Sequence, residues 1–226
     1  MTLVELLVGM TIMSVITAMV LVTWFALSRS YSYSATSSKA RDNAREATAR
    51  LVREVRDAES NPATSEAALI RARARTVVVS TTFNMSGNAS PSTAPRLVMF
   101  RYYPDGELWR FYDKNGNGSI ENVDMSVDGW PANPNPVGEQ VNGEGGRMLV
   151  KDVVNDKVPS TDSPTPLFRY SYYRDDGVLV QATTVIGAAN RRRVVSVQLN
   201  LLVDLNPTHS PIYSEFLTTA QLRNQQ

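Results

Sequence analysis

The feature that most constrains this chain is an uncharged apolar run near its N-terminus. The 22 residues from Leu6 to Leu27 carry no charge and are predominantly apolar. As an α-helix they would span about 33 Å, enough to cross a hydrocarbon core of about 30 Å. One acid, Glu5, immediately precedes the run, and a carboxylate at membrane depth costs roughly 2–3 kcal/mol or more. Glu5 therefore needs a partner, and one candidate is the positive α-amino group of a neighbouring copy of the chain.

The composition excludes several kinds of site. The chain has no cysteine, which excludes disulfides and thiolate metal sites, and its single histidine, His209, excludes the common multi-histidine zinc sites. A net charge of +1 gives no bulk electrostatic case for nucleic-acid binding. The basic run at 191–193 could attract an acidic surface, although such a run is more often a solvated turn. His209 has no adjacent nucleophile pattern, so we do not expect an enzyme.

The polar segment that follows the apolar run is also predicted to be helical. Residues 34–59 contain neither proline nor glycine and are rich in Ala, Arg and Glu, which favour helices. Apolar residues recur there every three or four positions, at Ala40, Ala44, Ala47, Leu51 and Val55. Because Pro62 cannot continue a helix, we expect one helix from about residue 2 to about residue 59. Its apolar transmembrane or filament-core half occupies 1–28, and its amphipathic half occupies 29–60.

The remainder of the chain has the short β-branched and alternating runs that are typical of strands. Strands are predicted at 76–83, 96–103, 107–112, 147–154, 168–173, 178–180, 193–203 and 212–222. Asp105–Gly106 and Asp175–Gly177 predict hairpin turns, and the segments 86–95 and 130–146 predict surface loops. We therefore expect residues 61–226 to form one β-rich head, in which an antiparallel sheet packs on the amphipathic half of the helix. The predicted fold class is α+β.

The N-terminal sequence resembles that of mature type IV pilins and related pseudopilins. The resemblance rests on Met1-Thr2-Leu3-Val4-Glu5-Leu6-Leu7-Val8, with the acid at position five, and covers about the first 30 residues. It implies a type IV pilin-like fold and a prepilin-type N-terminal methylation motif, in which a peptidase removes a short leader and methylates Met1. Phe is the usual residue at that position, and Val22 stands where many pilins have proline.

The resemblance also implies a structural function. Copies of the chain would leave the inner (cytoplasmic) membrane and polymerise into an extracellular pilus-like filament at the cell surface, with Glu5 pairing the amino group of Met1 on a neighbouring subunit. The pilus assembly machinery is an implied partner, and nucleic acid is not. One alternative is a minor pseudopilin of a type II secretion system, and a less favoured one is a membrane-anchored enzyme. In the assembled form we expect a non-helical stretch between about residues 14 and 23.

A second motif, at residues 113–124, matches the twelve-residue calcium-binding loop. The predicted ligands at positions one, three, five, seven, nine and twelve are Asp113, Asn115, Asn117, Ser119 through its carbonyl, Glu121 and Asp124. Gly118 occupies the sharp turn at position six. The last ligand is the shorter Asp, and a predicted strand precedes the loop where a helix is usual. The sequence therefore predicts a weak calcium site, with a Kd of about 10⁻⁴–10⁻³ M, and a metal-free turn is the alternative.

Overall fold

The structure is a computed structural model that describes residues 2–60, 67–81, 96–103, 105–113, 120, 146–155, 165–182, 186–205 and 213–222. Residues 1–39 and 40–226 form two compact units. Helix α1 (Leu3–Arg56) contributes to both. The other elements are β1 (Leu69–Ala72), β2 (Thr76–Thr81), β3 (Arg96–Tyr102), β4 (Leu108–Tyr112), β5 (Arg147–Val150), β6 (Phe168–Tyr173), β7 (Leu179–Ala182), α2 (Ala188–Arg191), β8 (Val194–Asp204) and β9 (Tyr213–Gln221). The predicted loop at 86–95 lies outside the described residues, as does the predicted loop at 130–146 except for its last residue.

Helix α1 ends where the chain turns to pair with a strand. Its last turn carries Arg53 and Arg56, which interact favourably with the negative end of the helix dipole. Beyond the helix, Ala58 forms an antiparallel bridge with Thr81, and the backbone N–H of Glu59 donates to the carbonyl of Ser80 at 2.8 Å. The helix therefore stops three residues before its predicted end, because β2 satisfies the following backbone groups.

The first sheet has five antiparallel strands in the order β1-β2-β3-β4-β5. The predicted strands at 76–83, 96–103 and 107–112 are confirmed within the described residues as β2, β3 and β4. Gly106 forms the predicted turn between β3 and β4 with a φ of +91°, a conformation that suits glycine. Strand β5 is shorter than predicted because Asp152 adopts a φ of +62°, which interrupts the extended backbone.

A second antiparallel sheet contains β7, β6, β8 and β9 in that order. The predicted strands at 168–173, 178–180, 193–203 and 212–222 are confirmed within the described residues as β6, β7, β8 and β9, with β7 extending to Ala182. The sequence predicts one sheet, but β6 to β9 form a separate ladder, and β8 meets the segment that follows β5 through an isolated antiparallel bridge between Val203 and Val153. Asn155 connects the two sheets because its side-chain NH₂ donates to the carbonyl of Asn200 at 2.7 Å and its side-chain oxygen accepts from the N–H of Leu202 at 3.0 Å.

The main hydrophobic core is shared by α1 and both sheets. The predicted apolar stripe is confirmed, since Ala44, Ala47, Leu51 and Val55 are buried and belong to this core. The first sheet is covered on both faces, because alternate residues of β2 and β3 belong to different clusters. The second cluster comprises Val78, Leu97, Met99, Tyr103, Trp109, Phe111 and Ile120. The described chain thus combines a long N-terminal helix with antiparallel sheets, which confirms the α+β class.

Candidate functional site

The N-terminal part of α1 exposes a continuous apolar surface. Seventeen large apolar side chains between Leu3 and Leu27 are between 49% and 81% exposed in the single chain. Within the described ranges, α1 is the one helix that is long and apolar enough to cross a membrane. This length and composition are compatible with a membrane location. Full burial of one such side chain is worth about 1.5–3 kcal/mol, so the segment gains on the order of 25 kcal/mol from an apolar environment.

The hydroxyl groups in this segment are satisfied by the helix itself. Thr11 donates to the carbonyl of Val8 at 2.8 Å, and Ser14, Thr17 and Thr23 donate to carbonyls four residues earlier at 2.8–2.9 Å. These bonds remove most of the cost of transferring a hydroxyl out of water. The four polar residues therefore permit insertion into lipid or packing against other apolar helices.

Thr2 and Glu5 form a capping box at the start of α1. The backbone N–H of Thr2 donates to the carboxylate oxygen Oε2 of Glu5 at 2.8 Å, and the N–H of Glu5 faces the hydroxyl of Thr2 at 3.4 Å. This reciprocal pattern satisfies backbone donors that a helix N-terminus leaves open, and the negative charge suits the helix dipole. Sequence reasoning missed the role of Thr2, although the spacing Thr2-x-x-Glu5 is a recognisable capping signal.

The carboxylate of Glu5 retains the capacity to accept from a second group. An ionised carboxylate can accept several hydrogen bonds, and capping uses Oε2. Met1 lies outside the described residues, and its predicted contact joins two copies of the chain. That contact therefore stays a prediction. The geometry shows that capping the helix and binding a cation are compatible roles for this side chain.

The calcium motif falls largely on residues that the structure does not describe. Asp113 is buried, and its backbone N–H donates to the carbonyl of Leu97 at 2.9 Å, while Ile120 belongs to the second hydrophobic cluster. The predicted ligands Asn115, Asn117, Ser119, Glu121 and Asp124 lie outside the described residues. Among the residues that are described, no three His, Cys, Asp or Glu side chains form a metal-binding group. Calcium binding stays a prediction.

A buried ion pair connects the amphipathic part of α1 to the first sheet. The Nε of Arg110 on β4 donates to both carboxylate oxygens of Glu54 at 2.8 and 3.1 Å, and both side chains are buried. Burial raises the pKa of Glu54, although the charge and hydrogen bond of Arg110 act in the opposite direction. Sequence reasoning missed this pair, because the two residues are 56 positions apart and nothing in the local pattern connects them.

Comparison with known proteins leaves the family open. No family model matches this chain, and no curated protein matches it significantly.

Proposed function

We propose that this chain is the structural subunit of a type IV pilus-like extracellular filament with a type IV pilin-like fold. The observation that carries the proposal is the exposed apolar segment of α1. A single acid, Glu5, lies near its start and helps to cap the helix. Before assembly this segment would lie in the cytoplasmic membrane. In the filament, the same surface would pack against other copies of itself, so that lipid and neighbouring helices provide equivalent apolar environments.

The proposed assembly contact uses the free capacity of Glu5. A peptidase would expose the amino group of Met1, and that group would bind the carboxylate of Glu5 on an adjacent subunit. In an apolar filament core, breaking such a pair by removing one partner costs about 3–5 kcal/mol, because the remaining charge stays uncompensated. Packing of apolar helices is less directional, so the ion pair would set the axial register between subunits.

Three substitutions distinguish the contribution of Glu5 to helix capping from the contribution of its negative charge to assembly. Glu5→Gln keeps an oxygen that can cap Thr2 but removes the charge, whereas Thr2→Val removes the hydroxyl of the capping box and keeps the charge. Glu5→Ala removes both. We expect Glu5→Gln and Glu5→Ala to lower the yield of sheared surface filaments about tenfold or more, because the amino group loses its partner. Thr2→Val should have a much smaller effect, because a helix cap is worth about 1 kcal/mol.

The amount of subunit in the cell membrane serves as the control for all three variants. An immunoblot of membranes should show equal subunit levels, so that a loss of filaments reflects assembly. If Glu5→Gln filaments form in normal yield with an unchanged axial rise, the proposed ion pair is wrong. If Thr2→Val is as defective as Glu5→Ala, then capping accounts for the requirement.

Electron microscopy of sheared filaments, combined with mass spectrometry of their subunits, tests the function as a whole. The proposal requires long fibres composed mainly of this chain. Short assemblies in which this chain is a minor component would support a minor pseudopilin of a secretion system. The proposal would be contradicted if this chain stayed entirely in the membrane of cells that produce such filaments.

A further inference from the structure

Three arginines converge on a cavity between β1 and α2 in the unit of residues 40–226, here called the β-rich unit. The cavity has a volume of about 330 Å³ and is lined by Arg71, Arg73 and Arg191. The other lining residues are apolar or glycine: Ile70, Ala72, Ile186, Gly187 and Ala188. Its size falls at the lower end of the range for small-molecule sites, which is about 300–1,000 Å³. The lining therefore combines concentrated positive charge with a small apolar surface.

The backbone around this cavity is fixed by buried hydrogen bonds. The hydroxyl of Tyr170, which is fully buried, accepts from the N–H of Arg73 at 3.0 Å and donates to the carbonyl of the same residue at 2.8 Å. On the opposite wall, the N–H of Ile186 donates to the carbonyl of Ala72 at 3.1 Å. These contacts fix the two segments that carry the arginines, so their guanidinium groups need little backbone rearrangement to bind a ligand.

The arginines are close enough to affect one another. Partial burial lowers the pKa of Arg73, and the charges of Arg71, Arg101 and Arg191 lower it further. Burial and Arg71 also lower the pKa of Arg191. Arginine stays protonated at neutral pH despite such shifts, so the cluster carries mutual repulsion. A bound anion would relieve that repulsion, and guanidinium groups are well suited to bidentate contacts with phosphate oxygens.

We propose that this cavity is a binding site for a phosphate group, either as free phosphate or as the ester of a small polar molecule. Arg71 and Arg191 would bind the anion from the two walls, and Arg73 would bind it from the end of β1. The site does not depend on filament formation, because all its residues belong to the β-rich unit.

Binding can be measured on the full chain in detergent micelles at constant ionic strength. Equilibrium dialysis with inorganic phosphate and with glycerol 3-phosphate gives the stoichiometry, and the thermal shift of the β-rich unit reports binding to the folded state. We expect saturable binding at one site per chain. Equal affinity would assign recognition to the phosphate group alone, and tighter binding of the ester would identify a phosphorylated small molecule as the preferred ligand. Both results support the site.

Variants of adjacent arginines supply a matched control. Arg71→Gln and Arg191→Gln should each weaken phosphate binding about tenfold or more, since each removes charged hydrogen bonds to the anion. Arg192→Gln makes the same charge change next to Arg191 but outside the cavity lining, so affinity should change by less than about twofold. Near-UV circular dichroism checks that each variant is folded. Absence of saturable binding to the wild type, or equal losses for Arg191→Gln and Arg192→Gln, would overturn the proposal.

Discussion

The buried pair of Glu54 and Arg110 gives the sharpest prediction about stability. Arg110→Met replaces the guanidinium with an apolar side chain of similar length and leaves the carboxylate of Glu54 in the core. Glu54 is fully buried, and its carboxylate loses the donor that lies 2.8 and 3.1 Å from its two oxygens. Removing one member of such a pair costs about 3–5 kcal/mol of unfolding free energy.

The double variant Glu54→Leu/Arg110→Met should behave differently. Replacing both members of a buried pair with apolar residues removes the cost of desolvating the charges, and is often neutral or stabilising. We therefore expect the double variant to lie within about 1 kcal/mol of the wild type, or above it. This contrast distinguishes the cost of an unpaired charge from the loss of side-chain packing.

The pH dependence of Arg110→Met has a definite sign. In the wild type, burial already raises the pKa of Glu54 above its ordinary value of 4.5, while Arg110 opposes the shift. A raised pKa means that the folded state binds the proton more tightly, so this contribution to stability is fully present below pH 4.5 and is lost as the pH rises through the folded-state pKa. Without Arg110 the pKa rises further. The loss of stability in Arg110→Met should therefore be smaller at pH 5 than at pH 8.

Chemical denaturation of the full chain in detergent micelles measures these differences. Trp109 is buried next to Arg110 on β4, so unfolding of the sheet changes its contribution to the fluorescence of the three tryptophans. A cost below about 1 kcal/mol for Arg110→Met at pH 8 would refute the assignment of an ionised, compensated pair. A cost that grows on acidification would refute the direction of the pKa shift.

Three further predictions concern other parts of the chain. Gly106→Ala should destabilise the β-rich unit more than Gly177→Ala in chemical denaturation, because both glycines have positive φ but only at Gly106 would a Cβ lie 2.9 Å from the carbonyl of Val153. Calorimetry of the full chain should show calcium binding in the millimolar range that Asp113→Asn weakens, and no heat at that concentration would contradict the loop prediction. A filament map should show non-helical backbone between about residues 14 and 23, whereas continuous helical hydrogen bonding there would contradict that expectation.

Elements defined by local pattern could be predicted, whereas those defined by distant pairing could not. A short apolar run predicts β3, alternation predicts β8, and the spacing of Leu51 and Val55 predicts the buried stripe of α1. Strand β1 was missed because its four residues adjoin an Ala-Arg repeat that favours a helix, and pairing with β2 overrides that preference. The arrangement of the strands in two connected sheets depends on contacts such as those of Asn155, which the local sequence does not encode.

The candidate sites also differ in whether the local sequence predicts them or whether they depend on contacts between distant residues. Glu5 could be singled out from the sequence because an isolated charge beside an apolar run is conspicuous, and the spacing to Thr2 was available as a capping signal. The cavity of Arg71, Arg73 and Arg191 was not predictable, because it requires the residues that follow β7 to pack beside β1. The sequence predicts only a solvated basic run at 191–193, and nothing in that pattern distinguishes Arg191 from its two neighbours.

The capping box changes how the requirement for Glu5 must be interpreted. An acid at this position of a helix is already favourable in a single chain, since it satisfies the N–H of Thr2 and suits the helix dipole. Its presence is therefore not by itself proof of a contact between subunits. What capping cannot explain is a need for charge, because glutamine also serves at this position of a capping box. A difference in assembly between the wild type and Glu5→Gln, with the cap intact in both, would therefore isolate the contribution of an ion pair.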